Sequence, residues 1–363
     1  APVRAAVPRR HRRRLRRAGG VKRLAIRLEE VAERSNLMLA TWKAARGKRQ
    51  RPAVARFLAD LDGQLDHLAA CILNGQAPQG QYTSFTIHDP KRRLIHAACF
   101  ADRVLQHAIL NLAEPRFEAM LVDSTYACRP GKGVHAAARQ VQRNLQRFAW
   151  RVQVDVDSYF PSIDHACLKA LLATRFKGAG FLALLGRIID TAGDAGRGLP
   201  IGSLTSQHFA NAYLDTADRR LLEDRRVRAH VRYMDDILWW CDSRADALAT
   251  LAESNDFLRR ERGLQLKPKA SIAPSRAGVA WCGFRIDQAV ILPSRRKLAR
   301  YRRHARQIEC AWASGQVSEA EVQRASANSL ATLAHSRSLG FRRRFWQQHP
   351  SLDDLAAGQP DHP

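Results

Sequence analysis

The chain has 363 residues, 45% of them hydrophobic, which is enough for two or three packed subdomains and excludes a disordered chain. Its 60 Lys and Arg against 34 Asp and Glu leave a formal net charge of +26, so the expected partner is a polyanion, either nucleic acid or an anionic membrane surface. No apolar run approaches the length of a membrane span, which makes nucleic acid the expected partner and leaves no membrane role. Seven scattered cysteines (Cys71, Cys99, Cys128, Cys167, Cys241, Cys282 and Cys310) contain no C-x-x-C pair, as in a cytoplasmic protein with reduced thiols. Neither an H-E-x-x-H nor a Walker-type phosphate loop occurs.

Residues 1–23 carry ten Lys and Arg and no acid, and read as a solvated basic tail or a phosphate-gripping arm. From Leu24 to about Gln76 apolar residues recur at helical spacing, for example Phe57, Leu58, Leu61, Leu65 and Leu68. Residues 81–88 alternate as a strand, Asp89-Pro90 supplies a turn, and a helical pattern resumes over residues 97–113. Val152, Val154 and Val156 alternate strictly, so this half-buried strand shows Gln153, Asp155 and Asp157 on its other face. Ser162 or Asp164 can cap a helix over residues 165–176. A glycine-rich stretch, residues 193–202, leads into a helix ending near Glu223. Residues 231–233 and 237–240 flank Asp235-Asp236 as a hairpin. Residues 294–313 form a helix striped by Leu298, Tyr301, Ala305, Ile308 and Trp312, and residues 293–350 hold twelve Lys and Arg against three Glu.

Two adjacent carboxylates at a hairpin tip repel each other and, once shielded from water, need a cation. An Asp-Asp turn alone is usually a solvated loop. Here the flanking strands are apolar and aromatic (Val231, Tyr233, Ile237 and Trp239), and a second strand upstream presents Asp155. Three carboxylates on neighbouring strands suit two magnesium ions, hard cations that prefer oxygen ligands, with manganese able to substitute. Such an ion pair serves in-line phosphoryl transfer, which needs positioning and charge neutralisation rather than a protein nucleophile.

Val154-Asp155-Val156-Asp157-Ser158-Tyr159-Phe160-Pro161-Ser162-Ile163-Asp164 resembles the first catalytic motif of reverse transcriptases, and Tyr233-Met234-Asp235-Asp236 resembles their second. Between them, Gly198-Leu199-Pro200-Ile201-Gly202-Ser203-Leu204-Thr205-Ser206-Gln207 is similar to the nucleotide-pocket motif. Upstream, residues 89–95 resemble the triphosphate-gripping fingers strand, and residues 123–133 match a further family block. Downstream, Trp281-Cys282-Gly283-Phe284-Arg285-Ile286 looks like the primer grip. Six ordered blocks over roughly residues 80–345 form a specific signal. The family form has Gln-Gly and Ser-Pro where this chain has Ile201-Gly202 and Ser206-Gln207, and the Ile-Gly-x-x-x-Ser-Gln version resembles enzymes of diversity-generating retroelements. Those enzymes copy a template-repeat RNA with errors at adenines, in mutagenic retrohoming. An isoleucine offers packing where glutamine offers hydrogen bonds, so discrimination between right and wrong pairs is expected to weaken.

The resemblance implies an α+β, right-hand polymerase with an antiparallel-sheet palm, helical fingers and a short helical thumb. Its parts are a basic tail (1–23), fingers (24–150), palm (151–165 and 199–292), a fingers/palm connection (166–198), thumb (293–350) and a C-terminal tail (351–363). By the same resemblance Asp155 and Asp235 ligate two magnesium ions, with Asp236 a weaker ligand or one step behind them and the Val156 carbonyl assisting, while Asp157 and Asp164 stay outside the ligand set. Lys91 and Arg93 neutralise the triphosphate; Ser158, Tyr159, Phe160, Ile201, Gly202 and Gln207 line the nucleotide pocket, with Phe160 excluding a 2′-hydroxyl. Lys269 is a candidate proton donor to pyrophosphate, and Cys282, Gly283 and Phe284 steady the primer end. Arg295, Arg296, Lys297, Arg300 and Arg303 track the nucleic-acid backbone. The implied partners are template RNA, primer and cDNA, dNTPs and a small basic accessory variability protein. Three rivals stand beside this reading: a group II intron-like, retron or defence-associated reverse transcriptase, an inactive RNA-binding protein on a polymerase fold, and a primase-like or RNA polymerase activity, which Phe160 disfavours.

Overall fold

Ile237–Cys241 is a continuous apolar run, the pattern of a strand covered on both faces. In the protein, a computed structural model, this is what is found: Leu238 and Trp240 pack with Ala137, Val141, Leu145 and Phe284 on one side, while Ile237, Trp239 and Cys241 pack with Val152, Val154, Leu221 and Ala247 on the other. The structure describes residues 22–88, 92–191, 193 and 195–348. The basic segment up to residue 21, the Asp89-Pro90 turn with Lys91, and the tail from residue 349 lie outside the described residues.

The chain divides into two compact units, the second made of Val122–Val156, Ala217–Asp256 and Gln265–Pro363. Its main sheet is antiparallel, with Val227–Tyr233, Asp236–Cys241, Trp150–Asp155 and Ser271–Pro274 as successive neighbours. The Val134–Arg147 helix, which the pass along the sequence missed, buries Ala137, Ala138, Val141 and Leu145, a stripe at helical spacing. A second antiparallel sheet runs through Val279–Trp281, Phe284–Ile286 and Ile291–Pro293. Ser294 caps the Arg295–Ala313 helix by accepting from the Lys297 amide at 3.2 Å. That helix shares a small core with Glu319–Leu333 and Leu339–Gln347, built from Tyr301, Leu333 and Phe345 with Leu298, Ala305 and Phe341 around them.

The other unit comprises Ala1–Leu121, Asp157–Thr216 and Phe257–Leu264. Its helices Leu28–Ala32, Arg34–Ala45, Pro52–Ala59 and Leu61–Leu73 follow the expected helical spacing; Leu65, Leu68 and Ile72 are buried on one face of the last. Phe57 meets Phe100 edge-on at 4.9 Å. Tyr82–His88 pairs antiparallel with Arg92–Ala98. The following helix, Phe100–Met120, runs seven residues beyond its expected end at residue 113, through Pro115; buried Arg116, Phe117 and Met120 tie its last turns to the core. Asp164 is the expected cap, accepting from the Cys167 amide at 2.9 Å, but its helix stops at Ala173. Phe176-Lys177 leaves that helix to pair in parallel with Leu24-Ala25, and Phe176 is buried against Phe117 and Phe181. Helices Ala179–Asp190 and Arg244–Arg262 were also missed in the sequence.

Candidate active site

Asp155 ends its strand directly opposite Asp236 on the neighbouring antiparallel strand. Tyr233 pairs with Asp236, so Met234 and Asp235 form the hairpin's two-residue tip, with Met234 in the left-handed region at φ 58°. The Asp235 carbonyl accepts from the Val156 amide at 3.2 Å, which fixes the tip against the Asp155 strand. Like charges placed opposite each other across two strands are destabilising. Accordingly, burial pushes the Asp236 carboxyl up to about 7; Trp281 and Gln153 oppose that rise, and repulsion from Asp155 and Asp235 adds to it. One Asp236 oxygen is buried without a hydrogen-bond partner.

The residue that answers this charge was missed in the sequence. Lys267 forms an ion pair with the Asp155 carboxylate, and its backbone amide donates to the Asp155 carbonyl at 2.9 Å. A bridge between Val156 and Leu266 sets that register. The candidate proton donor Lys269 is exposed and makes no ion pair among the described residues. The signal for Lys267 was the Leu264, Leu266 alternation, which turns residue 267 to the face opposite the leucines.

Among the described residues no group of three or more His, Cys, Asp or Glu side chains is arranged to hold a metal ion by itself. Magnesium does not require one, since it keeps several waters and takes one or two carboxylates together with substrate phosphates. An open acidic edge with an orphaned oxygen, a carboxyl that holds its proton and an ammonium drawn to Asp155 is short of positive charge, and so fits such an ion. A pH dependence follows. Below about 7 Asp236 is protonated, so cation uptake must expel that proton, and affinity should rise with pH. Mn2+ binding followed by calorimetry should tighten by roughly tenfold per unit below this point and level off above it. Constant affinity from pH 5.5 to 8 would remove Asp236 from the site.

The nucleotide-pocket candidates belong to the other unit. The Ile201 carbonyl accepts from the His96 amide at 2.8 Å, docking the pocket segment on the strand that carries Arg93. Gly202 (φ 113°) lies so close that an added Cβ would sit 3.0 Å from Ile95 Cγ2 and 3.2 Å from the His96 carbonyl oxygen. Tyr159 is buried, its hydroxyl donating to the Ala210 carbonyl, so it supports the segment as a core residue. Phe160 is half-buried, and its carbonyl accepts from the Leu199 amide at 2.9 Å. Ser158 is exposed in the left-handed region at φ 43°, and Gln207 is half-buried near the start of the Leu204–Glu223 helix.

In the acid-bearing unit, Gly283 has φ 78°, and its carbonyl accepts from the Ser294 amide at 3.0 Å. Phe284 is buried, and the Lys297 ammonium stands 3.4 Å from its ring centroid. Lys297, expected among the backbone-tracking cations, is half-buried against Phe284 and Gly283, and that desolvation pushes its pKa down. Arg295, Arg296, Arg300 and Arg303 are exposed on the same helix. The Cys282 thiol is pushed well up by burial and by the nearby Asp236 and Asp235 charges.

Carboxylates at the ends of neighbouring strands are the donor set of a metal-assisted phosphoryl-transfer site. The profile of the family Reverse transcriptase (RNA-dependent DNA polymerase) matches residues 87–286, and the chain belongs to that family. It is 28% identical over 220 residues to Protein YkfC of Escherichia coli (strain K12), covering 56% of this chain and 51% of that one. It is 25% identical over 140 residues to the Group II intron-encoded protein LtrA of Lactococcus lactis subsp. cremoris, covering 37% and 23% respectively. The chain thus spans about half the length of the first of these relatives and less of the second. Apo telomerase from Candida tropicalis shares its fold, with a TM-score of 0.50 and 11% identity over 80% of this chain and 65% of that one. No described helix is long and apolar enough to cross a membrane.

Proposed function

We propose that this protein is an RNA-directed DNA polymerase that extends a primer on an RNA template from dNTPs. The observation that carries the reading is the meeting of Asp155 with the Asp235-Asp236 hairpin tip in a chain of the reverse transcriptase family. Asp155, Asp235 and Asp236, with the Val156 carbonyl, would hold two magnesium ions, for which manganese can substitute. When bound, these ions activate the primer 3′-hydroxyl and neutralise charge on the leaving pyrophosphate. The chain's own residues position the reactants: the β-hairpin with Arg93 supplies positive charge to the triphosphate, Phe160 packs against the sugar, and Cys282, Gly283 and Phe284 steady the primer end. Lys267, beside Asp155, joins Lys269 as a candidate proton donor. In this reading residues 24–150 act as fingers, 151–165 and 199–292 as palm, and 293–350 as thumb, in a cytoplasmic protein; all seven cysteines are free thiols.

Ile201 and Gln207 favour the finer reading, an error-prone enzyme of a diversity-generating retroelement that works with a small basic accessory protein in mutagenic retrohoming. The likeness to LtrA favours a second reading, a group II intron-like enzyme. One substitution separates them. Ile201→Gln restores an amide to the pocket, and about 1.4 kcal/mol of regained discrimination lowers misincorporation tenfold. Sequencing cDNA made by the parent and by Ile201→Gln on one adenine-containing template should show parental errors concentrated at adenines and reduced in the variant. Errors that are low and evenly spread in both enzymes would favour the group II intron-like reading.

A further inference from the structure

Arg232 precedes the Tyr233-Met234-Asp235-Asp236 tip and is fully buried, although a charged residue on a strand ordinarily faces water. Its partner is Asp218, also fully buried: the Arg232 Nε donates to both Asp218 oxygens, at 2.9 and 2.8 Å, and a second guanidinium nitrogen lies 2.7 Å from Oδ2. The Thr125 hydroxyl donates to the same carboxylate at 3.2 Å, and His230, buried and joined to the Ser124 hydroxyl at 2.8 Å, stands 3.2 Å from its other oxygen. Burial alone would raise the Asp218 carboxyl; Arg232 and His230 overcome this and hold it well below the usual carboxylate range. The backbone is fastened too, since the Arg232 amide donates to the Ser124 carbonyl and its carbonyl accepts from the Tyr126 amide, both at 2.9 Å.

A buried ion pair adds little to stability that apolar side chains of the same volume would not supply, so its presence calls for a geometric reason. That reason is the remaining arm of the fork, which donates to the Met234 carbonyl at 3.0 Å. Met234 is the non-glycine residue held at φ 58°, a conformation that persists only where its surroundings enforce it. The next carbonyl, that of Asp235, is held by the Val156 amide. The two acids therefore leave a backbone clamped on both sides, with Arg232 as one jaw. We propose that Arg232, oriented by Asp218, is a positioning residue that fixes the Met234 peptide and thereby aims Asp235 and Asp236 at the cations. The inference rests on the reading of Asp155, Asp235 and Asp236 as the metal-holding set.

Arg232→Lys keeps the charge that Asp218 needs but has no planar fork to reach the Met234 carbonyl at the same time. In the 363-residue chain two readouts apply: Mn2+ affinity from the paramagnetic resonance of the free ion, and kcat and the half-saturating magnesium concentration for primer extension. The expected result for Arg232→Lys is roughly tenfold weaker Mn2+ binding and a tenfold lower kcat, with RNA affinity retained. The double variant Arg232→Met with Asp218→Leu removes both charges, so it keeps a filled core even where the single variant folds poorly. It should melt near the parental temperature and share the defect in metal binding. Parental Mn2+ affinity and kcat in either folded variant would overturn the inference and make the pair a packing feature. A parent that neither binds Mn2+ nor extends a primer would overturn the metal-site reading itself, and the inference with it.

Discussion

Asp235→Asn should reduce primer extension by roughly 10³-fold or more while leaving the fold and RNA binding intact, because it removes one negative oxygen from a charge-neutralising set. Asparagine has the shape of aspartate, and the tip is held by backbone contacts, including the bond from the Val156 amide to the residue 235 carbonyl, that do not involve its side chain. Removing one of three like charges also relieves the repulsion that contributes to the raised Asp236 carboxyl, so the melting temperature should hold or rise. The measurement is dNTP incorporation on a primed RNA with saturating magnesium, beside thermal melting and RNA affinity. Extension within a few-fold of the parent would remove Asp235 from the metal set.

Affinity for structured RNA should fall by about 10³ between 50 and 200 mM salt, the loss expected when roughly six phosphate contacts release counterions. The formal charge of +26 supplies the attraction, and the exposed arginines of the Arg295–Ala313 helix place part of it on one element. Replacing Arg295, Arg296, Arg300 and Arg303 together by Gln should lower the slope of log affinity against log salt by about three to four, close to one per cation. Lys297 should contribute little to that slope, because its ammonium already lies against the Phe284 ring. An affinity independent of salt would refute the electrostatic account. A slope unchanged in the quadruple variant would move the RNA-binding surface elsewhere.

Much of the acid-bearing unit was legible from period alone. Val152 and Val154 alternate, and Tyr233 to Ile237 brackets two acids with apolar strand residues; both readings became strands, which the structure pairs with Asp155 opposite Asp236. What escaped was decided by contacts distant in sequence. Arg232 looks like a solvent-facing strand residue until Asp218, fourteen positions earlier on a helix, is found beside it. Lys267 and Lys269 share one face of an extended segment, and only the pairing of Leu266 with Val156 selects the first. The Arg244–Arg262 helix has weak apolar periodicity and many charges, so little beyond buried Ala247, Thr250 and Leu258 marks it as packed. The Phe100–Met120 helix runs on through Pro115, a residue that ordinarily breaks a helix, because the burial of Phe117 and Met120 holds its last turns.

The ion pair of Lys267 with Asp155 bears on how such an enzyme waits between reactions. A cluster of acids with no countercharge would strain its own fold whenever free magnesium ran low. Here a tethered ammonium offsets part of that repulsion from within the chain. On the proposed two-metal reading, divalent-metal scarcity would pause synthesis instead of threatening the fold, and a chelated preparation should regain full activity on adding magnesium, with no refolding step between.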